Sequence, residues 1–300
     1  MPPLFWTGKL TFPMKVLVNA NNLLALLLGN TTDTAAMKDR VRRGYEGEIT
    51  DYVERYDALG WHLQERSAMT QLEGLDLSGL RVLDVGCGTG AVADVALENG
   101  AQKAVCGDIS LWMLREGKGK RSGQDDNYTF CQCDAEDLPY HDDSFDAVIS
   151  GMTFGLLPDQ DRVVAEMVRV AKPGGLISVG AHGPEHYWEA IDASFRCITK
   201  RYILGYRVEW WPGDEREIRG LLERAQLEGV NTRRVIWRNE FDSGGAMYDF
   251  FMAISGASWY EKFPRDKIAE DSGKTRAYFE RKGLTTITDD IVVAFGRKPT

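Results

Sequence analysis

Polar and apolar positions alternate with helical spacing from about residue 32 to 69, through TDTAAMKDRVRRGYEGEITDYVERYDALGWHLQERSAM, with Thr32 and Asp33 placed as caps. After Gly79 the texture changes to short β-branched runs separated by helical ones. RVLDV, KAVCG, YTFC, FDAVIS and LISVG read as strands. Between them AVADVALENG, a stretch from about Ser110 to Lys118, and DQDRVVAEMVRVAK read as helices, the last followed by a turn at Lys172-Pro173-Gly174-Gly175. Such alternation predicts parallel strands with right-handed helical crossovers, a doubly wound sheet of the α/β class.

Beyond Gly180 the rhythm breaks. GPEHYWEAIDASFRCITKRYILGYRVEWWP is aromatic-rich, helical in pattern and too long for a plain connection, so it predicts a lid. An amphipathic helix at DEREIRGLLERAQLEG, a strand at NTRRVIWRNEF, a helical insertion and a last strand at DIVVAFGR complete seven mostly parallel strands. The two late strands are expected to be antiparallel to each other or to the sheet. The organisation expected is a helical arm or lid over residues 1–70 and a main domain over 71–300, with insertions at about 184–212 and 244–283.

Composition narrows the partners. The chain has 300 residues and a formal net charge of −9, which disfavours nucleic acid because phosphate binding needs a basic field. Five cysteines, Cys87, Cys106, Cys131, Cys133 and Cys197, are an odd and thinly spread set that suits a reducing cytoplasm better than a disulfide framework, and no metal site is expected. The opening stretch MPPLFWTGKLTFPMKVLVNANNLLALLLGN has an apolar run behind a lysine, as a secretory signal does. Asn19, Asn21 and Asn22 interrupt it, and its length falls short of the ~20 apolar residues that span a bilayer. Lys38, Arg40, Arg42 and Arg43 follow, so the arm has the makings of a peripheral membrane contact. The plainer expectation is a helix packed over its own domain or over a second subunit in a homodimer.

The chemistry concentrates in VLDVGCGTG, residues 82–90, where a tight turn follows a strand that carries Asp84. In an open parallel sheet the first strand-to-helix turn is the usual ligand cradle. Gly86 and Gly88 let backbone approach a ligand, Cys87 contributes its backbone, and Gly90 starts the helix. The spacing Gly86-x-Gly88-x-x-Ala91, with Asp108 about 20 residues on, also satisfies the dinucleotide fingerprint. Charge separates the two readings. A dinucleotide would bring a pyrophosphate next to Asp84, whereas S-adenosylmethionine brings a sulfonium and an ammonium. Asp108 can accept both ribose hydroxyls, with Ile109 and Met113 walling the adenine. Asp134 can accept from the adenine amino group beside the Ala135 amide, and Ser150 and Gly151 end the fourth strand next to where the methyl would point.

VLDVGCGTG, GDIS, DAEDLP, FDAVISGMTF and RVAKPGG, in that order and spacing, resemble the class I S-adenosylmethionine-dependent methyltransferases, in particular the ubiquinone- and menaquinone-biosynthesis-like branch. The likeness covers roughly residues 45 to 180. It implies the Rossmann-like methyltransferase fold, S-adenosyl-L-methionine as cofactor with S-adenosyl-L-homocysteine as product, and a small-molecule acceptor. YEGEITDY resembles that branch's aromatic prelude, which implies that Tyr45 and Tyr52 lie over the cofactor. Candidates for a general base begin the lid: His182, Glu185, His186 and Tyr187, two of them among only four histidines in the chain. SGMTFG after the fourth strand lacks an Asn or Asp-Pro-Pro-aromatic run, which points to a small, hydrophobic acceptor attacking through oxygen, carbon, nitrogen or sulfur. A cofactor-binding module without turnover, acting as a structural partner or sensor, is the alternative.

Overall fold

The structure is a computed structural model that describes residues 6–29, 34–46, 63–121, 126–202, 213–260 and 265–300. In chain order the arm supplies α1 (Phe12–Leu27), α2 (Thr34–Gly44) and α3 (63–72). The alternating part follows as β1 (Arg81–Val85), α4 (Ala91–Glu98), β2 (Lys103–Asp108), α5 (Leu111–Lys120), β3 (Tyr128–Gln132), β4 (Phe145–Ser150), α6 (Gln160–Val170) and β5 (Ala171–His182). Then come α7 (Trp188–Tyr202), α8 (Glu215–Arg224), β6 (Glu228–Glu240), α9 (Gly244–Tyr260), α10 (Arg265–Lys282) and β7 (Thr286–Arg297).

The seven strands form one sheet in the order β3-β2-β1-β4-β5-β7-β6. β1 to β5 pair in parallel, and β7 runs antiparallel between β5 and β6. The chain leaves β1 toward β2 and β3, then crosses to β4 on the other side. That switch point opens a crevice at the carboxyl ends of β1 and β4. One sheet face packs Leu83, Val85, Val148, Ile177 and Val292 against Val163 and Met167 of α6 and Leu221 and Leu222 of α8. The other packs Val82, Ala147 and Ile149 against Leu72 of α3 and Val92 and Val95 of α4. Strands buried on both faces explain the near-continuous apolar runs that made β1 and β4 legible.

A further core gathers distant segments into a canopy. Trp6, Met14 and Val18 of the arm pack with Phe195 of α7, Met247 and Phe251 of α9, Phe279 of α10 and Ile287 of β7. The Trp6 and Phe195 rings meet edge-on at 5.8 Å. The outward face of α1 is apolar too: Phe12 is 82% exposed and Leu27 74%. Of the basic residues following the arm helix, Lys38 pairs with Asp134 and Glu136, Arg42 with Asp39 and Glu46, and Arg43 with Asp39. Lys38 is thus committed across the fold, whereas Arg42 and Arg43 form exposed pairs along their own helix.

One boundary differs from the sequence expectation. α6 stops at Val170, because Pro173 drives Lys172 out of helical conformation, and Lys172-Pro173-Gly174-Gly175 is absorbed into β5 as an irregularity in its pairing with β4. The expected helix over 32–69 is described only as α2 and α3, and residues 47–62 lie outside the described residues. Among the described residues no helix is long and apolar enough to cross a membrane.

Candidate functional site

The turn after β1 takes three positive φ angles, 70° at Gly86, 54° at Gly88 and 98° at Gly90, which residues with a Cβ rarely adopt. The Gly86 and Cys87 amides both donate to the Gly107 carbonyl, at 2.8 and 3.1 Å, anchoring the turn to β2. A Cβ on Gly86 would lie 2.5 Å from Thr153, whose hydroxyl sits 3.0 Å from the Gly86 and Gly151 carbonyls and so ties this turn to the loop after β4. A Cβ on Gly88 would meet nothing within 4 Å. The turn is therefore packed from below and open at Gly88, the form of a cradle. Gln71 closes the crevice from α3, donating to the Ser150 carbonyl at 3.1 Å and to Ser178 Oγ at 3.2 Å. A Cβ on Gly151 would come 2.6 Å from Val92, so the chain passes α4 closely there.

The predicted acids occupy three levels around this turn. Asp84 is fully enclosed, and neither carboxylate oxygen has a hydrogen-bond partner. Burial first, and repulsion from Asp108 second, push its carboxyl up to about 8, against a partial pull from the nearby Ala93 amide. Asp108 accepts from the Gly88 amide through Oδ2 and from the Ser110 amide through Oδ1, both at 2.8 Å. Burial raises its carboxyl while those amides pull it down. Asp134 accepts from the Glu136 amide at 2.9 Å and from Lys38 Nζ at 2.8 Å, so the carboxylate expected to meet an adenine amino group already holds an ammonium from α2. Ala135 beside it is half-buried.

The remaining cofactor candidates surround these acids. Ser110 caps α5 by accepting from the Met113 amide at 3.1 Å, and its hydroxyl donates to the Tyr45 carbonyl at 2.7 Å. Tyr45 thus lies next to Asp108, while Tyr52 lies outside the described residues. Met113 is buried, and the Ile109 carbonyl accepts from Gln132 at 3.0 Å. Ser150 is buried with an unpartnered Oγ.

The lid candidates stack on one another beyond the carboxyl end of β5. The His182 and His186 rings lie 4.3 Å apart, and His186 and Tyr187 stack at 3.8 Å. Burial lowers His182 to about 4, and burial plus the neighbouring His182 lower His186 well below the usual histidine value, so both imidazoles are neutral near pH 7. His186 Nδ1 accepts from the Asp290 amide at 3.3 Å and lies 3.6 Å from Asp289 Oδ1. Asp289, 4% exposed, is a group that sequence reading missed. Burial pushes its carboxyl up to about 7 although Asn239 and Tyr187 hydrogen bond to it. The signal was faint, because its strand TITDDIVVAF reads as apolar with a polar start.

A nucleoside carrying positive charge fits this donor set. Asp84 is an orphaned buried acid behind a turn that a Cβ would fill, and among the described residues Lys38 is committed to carboxylates and Arg121 to the turn and Asp94. A pyrophosphate would find carboxylates where it needs cations.

Comparisons with known proteins show the family to which the chain is similar. A family model described as a methyltransferase domain matches residues 83–179. Over 218 residues the chain is 35% identical to a demethylmenaquinone methyltransferase of Clavibacter sepedonicus, covering 67% of this chain and 84% of that one. It is 29% identical over 174 residues to an uncharacterized protein of Mycobacterium tuberculosis, 58% of this chain, and spans 63% of that relative's length. Phosphoethanolamine N-methyltransferase 2 of Haemonchus contortus, solved with phosphomonomethylethanolamine and S-adenosylhomocysteine, superposes with a TM-score of 0.55 at 16% identity, over 90% of this chain and 61% of that one. A likeness at that identity speaks for the fold.

Proposed function

The chain belongs to the class I S-adenosylmethionine-dependent methyltransferases, and from that premise we propose that it moves a methyl group by in-line displacement to a small, hydrophobic acceptor. The observation that carries the cofactor assignment is Asp84, a fully enclosed carboxyl with no partner behind a glycine turn. When bound, S-adenosylmethionine supplies an activated methyl whose departure leaves a neutral thioether. The protein's task is then chiefly alignment, which can remove ~7 to 11 kcal/mol of barrier. Gly86, Cys87, Gly88 and Gly90 would hold the amino-acid end, Asp108 the ribose, and Met113, Ile109, Asp134 and Ala135 the base. Ser150 and Gly151 would border the methyl.

His182, His186 and Tyr187 would border the acceptor. Two buried, neutral imidazoles are weak bases, so the reading favours an acceptor that ionises readily, such as a phenol or thiol. Asp289, with its carboxyl near 7 and Tyr187 on it, is the group in this cluster best matched to taking a proton at neutral pH. The demethylmenaquinone methyltransferase relative supports a quinol-like acceptor. The test is incubation with S-adenosylmethionine and panels of quinols, phenols, thiols and amines, reading S-adenosylhomocysteine. Binding of S-adenosylhomocysteine without turnover on any panel would favour the sensor reading instead.

The exposed apolar face of α1 supports association through the arm, with a membrane surface or with a second copy. Deleting residues 1–30 separates these. Lost retention on liposomes marks a membrane contact, and a fall in sedimentation coefficient beyond the lost mass marks a homodimer.

A further inference from the structure

Arg121 follows α5 inside the string GKGKRSG. Its side chain is only 6% exposed, and its guanidinium is completely used. An arginine has five N–H donors. Nε donates to Asp94 Oδ1 at 2.7 Å, and Nη1 donates to the Thr89 carbonyl at 2.7 Å and the Gly117 carbonyl at 2.6 Å. Nη2 donates to the Gly90 carbonyl at 3.1 Å and to Asp94 Oδ2. Tyr128 of β3 donates to Asp94 Oδ1 at 2.6 Å, and the guanidinium lies over the Tyr128 ring, 5.0 Å from its centre.

These contacts join the two halves of the cofactor crevice. Thr89 and Gly90 belong to the glycine turn, and Asp94 to the first turn of α4. Gly117 belongs to α5, whose other end carries Ser110 and Met113. The fit leaves no slack, since a Cβ on Gly90 would fall 2.8 Å from Arg121 Nη2 and a Cβ on Gly117 would fall 2.9 Å from the Thr89 carbonyl. None of the five donors is left for a ligand, so Arg121 has no hydrogen bond to offer cofactor. Its effect is on the spacing between the turn and the wall of the adenine site.

Resting on the cofactor assignment above, we propose that Arg121, braced by Asp94 and Tyr128, is a positioning residue that holds the glycine turn at a fixed distance from α5 and thereby sets cofactor affinity. A turn with three positive φ angles has other conformations within reach, and the energy of selecting one is withdrawn from binding unless the protein has made the selection beforehand. The planar fork does this as an ammonium cannot, because it engages two turn carbonyls, one α5 carbonyl and a bidentate carboxylate in a single plane.

The test is calorimetric titration of S-adenosylhomocysteine into wild type, Arg121→Lys, Arg121→Ala, Asp94→Asn and Tyr128→Phe, at a temperature where circular dichroism shows each folded. The proposal expects Arg121→Lys to bind at least about tenfold more weakly, equivalent to about 1.4 kcal/mol. It expects Asp94→Asn to weaken binding likewise, and methylguanidinium to restore affinity to Arg121→Ala, a recovery that a general loss of packing would not show. Tyr128→Phe, which keeps the arginine and the ring, should weaken binding by a smaller factor and keeps the test open if the arginine variants fail to fold. Folded variants with wild-type affinity overturn the proposal alone. A wild type that binds no S-adenosylhomocysteine overturns the cofactor assignment and this proposal with it.

Discussion

Asp84→Asn separates the electrostatic role of the buried acid from its shape, because the amide is isosteric and cannot ionise. In the folded protein the carboxyl sits at about 8 against an ordinary 3.8, so over that interval the unfolded chain is ionised where the folded one keeps its proton. The folded state then binds more protons than the unfolded, and stability falls as pH rises, by about 1.4 kcal/mol per pH unit from this group. Wild type and Asp84→Asn should have similar stability near pH 4. The variant should gain on wild type by about 3 kcal/mol between pH 5 and 7, with the gap levelling off above pH 8. Urea unfolding at a series of pH values reads this as the difference between the two midpoints multiplied by the common slope. Cofactor binding should reverse the preference, because a sulfonium or ammonium stabilises the charged carboxylate. Titration of wild type near pH 7 in buffers of different ionisation enthalpy should show proton release that Asp84→Asn lacks. Parallel pH–stability curves for the two proteins would refute the reasoning.

Gly88→Ala should cost about 1 kcal/mol of stability for the positive φ, since the methyl meets no protein atom, yet it should weaken S-adenosylhomocysteine binding by far more, read by calorimetry beside thermal melting. Asp108→Ala removes the acceptor for the Gly88 and Ser110 amides together with the expected ribose contacts, and should weaken binding about tenfold or more while the protein stays folded. If Asp289 takes the acceptor's proton, the rate with a phenolic acceptor should rise with pH through about 7, and Asp289→Asn should abolish that limb while leaving S-adenosylhomocysteine affinity unchanged.

The parts of this molecule that announce themselves in sequence are those where one local rule governs several consecutive residues. β1 and β4 are buried on both faces and so appear as near-continuous apolar runs interrupted by Asp84 and Asp146, and the turn at 86–90 needs glycine three times for its backbone angles. What stayed hidden depends on single polar residues reaching across the fold. Arg121 gave no signal of its burial, Lys38 looked like part of a lipid-facing cluster and is paired with Asp134 and Glu136, and Thr153 gave no signal although it links two loops of the crevice. A hydrogen bond between residues 31 or 67 positions apart leaves no periodicity to read. Asp84 lies between these cases, since its type and place were legible but its complete enclosure was not.

The canopy core has a consequence for the order in which the molecule can be assembled. Trp6, Met14 and Val18 leave the ribosome well before Phe195, Met247, Phe279 and Ile287, on which they rest. Until those partners emerge the arm carries an uncovered apolar segment, while the sheet from β1 to β5 can already begin to pair. A chain stalled just after β5 would own the glycine turn and its parallel strands while lacking Phe195, Met247, Phe279 and Ile287, a species suited to capture by a holdase.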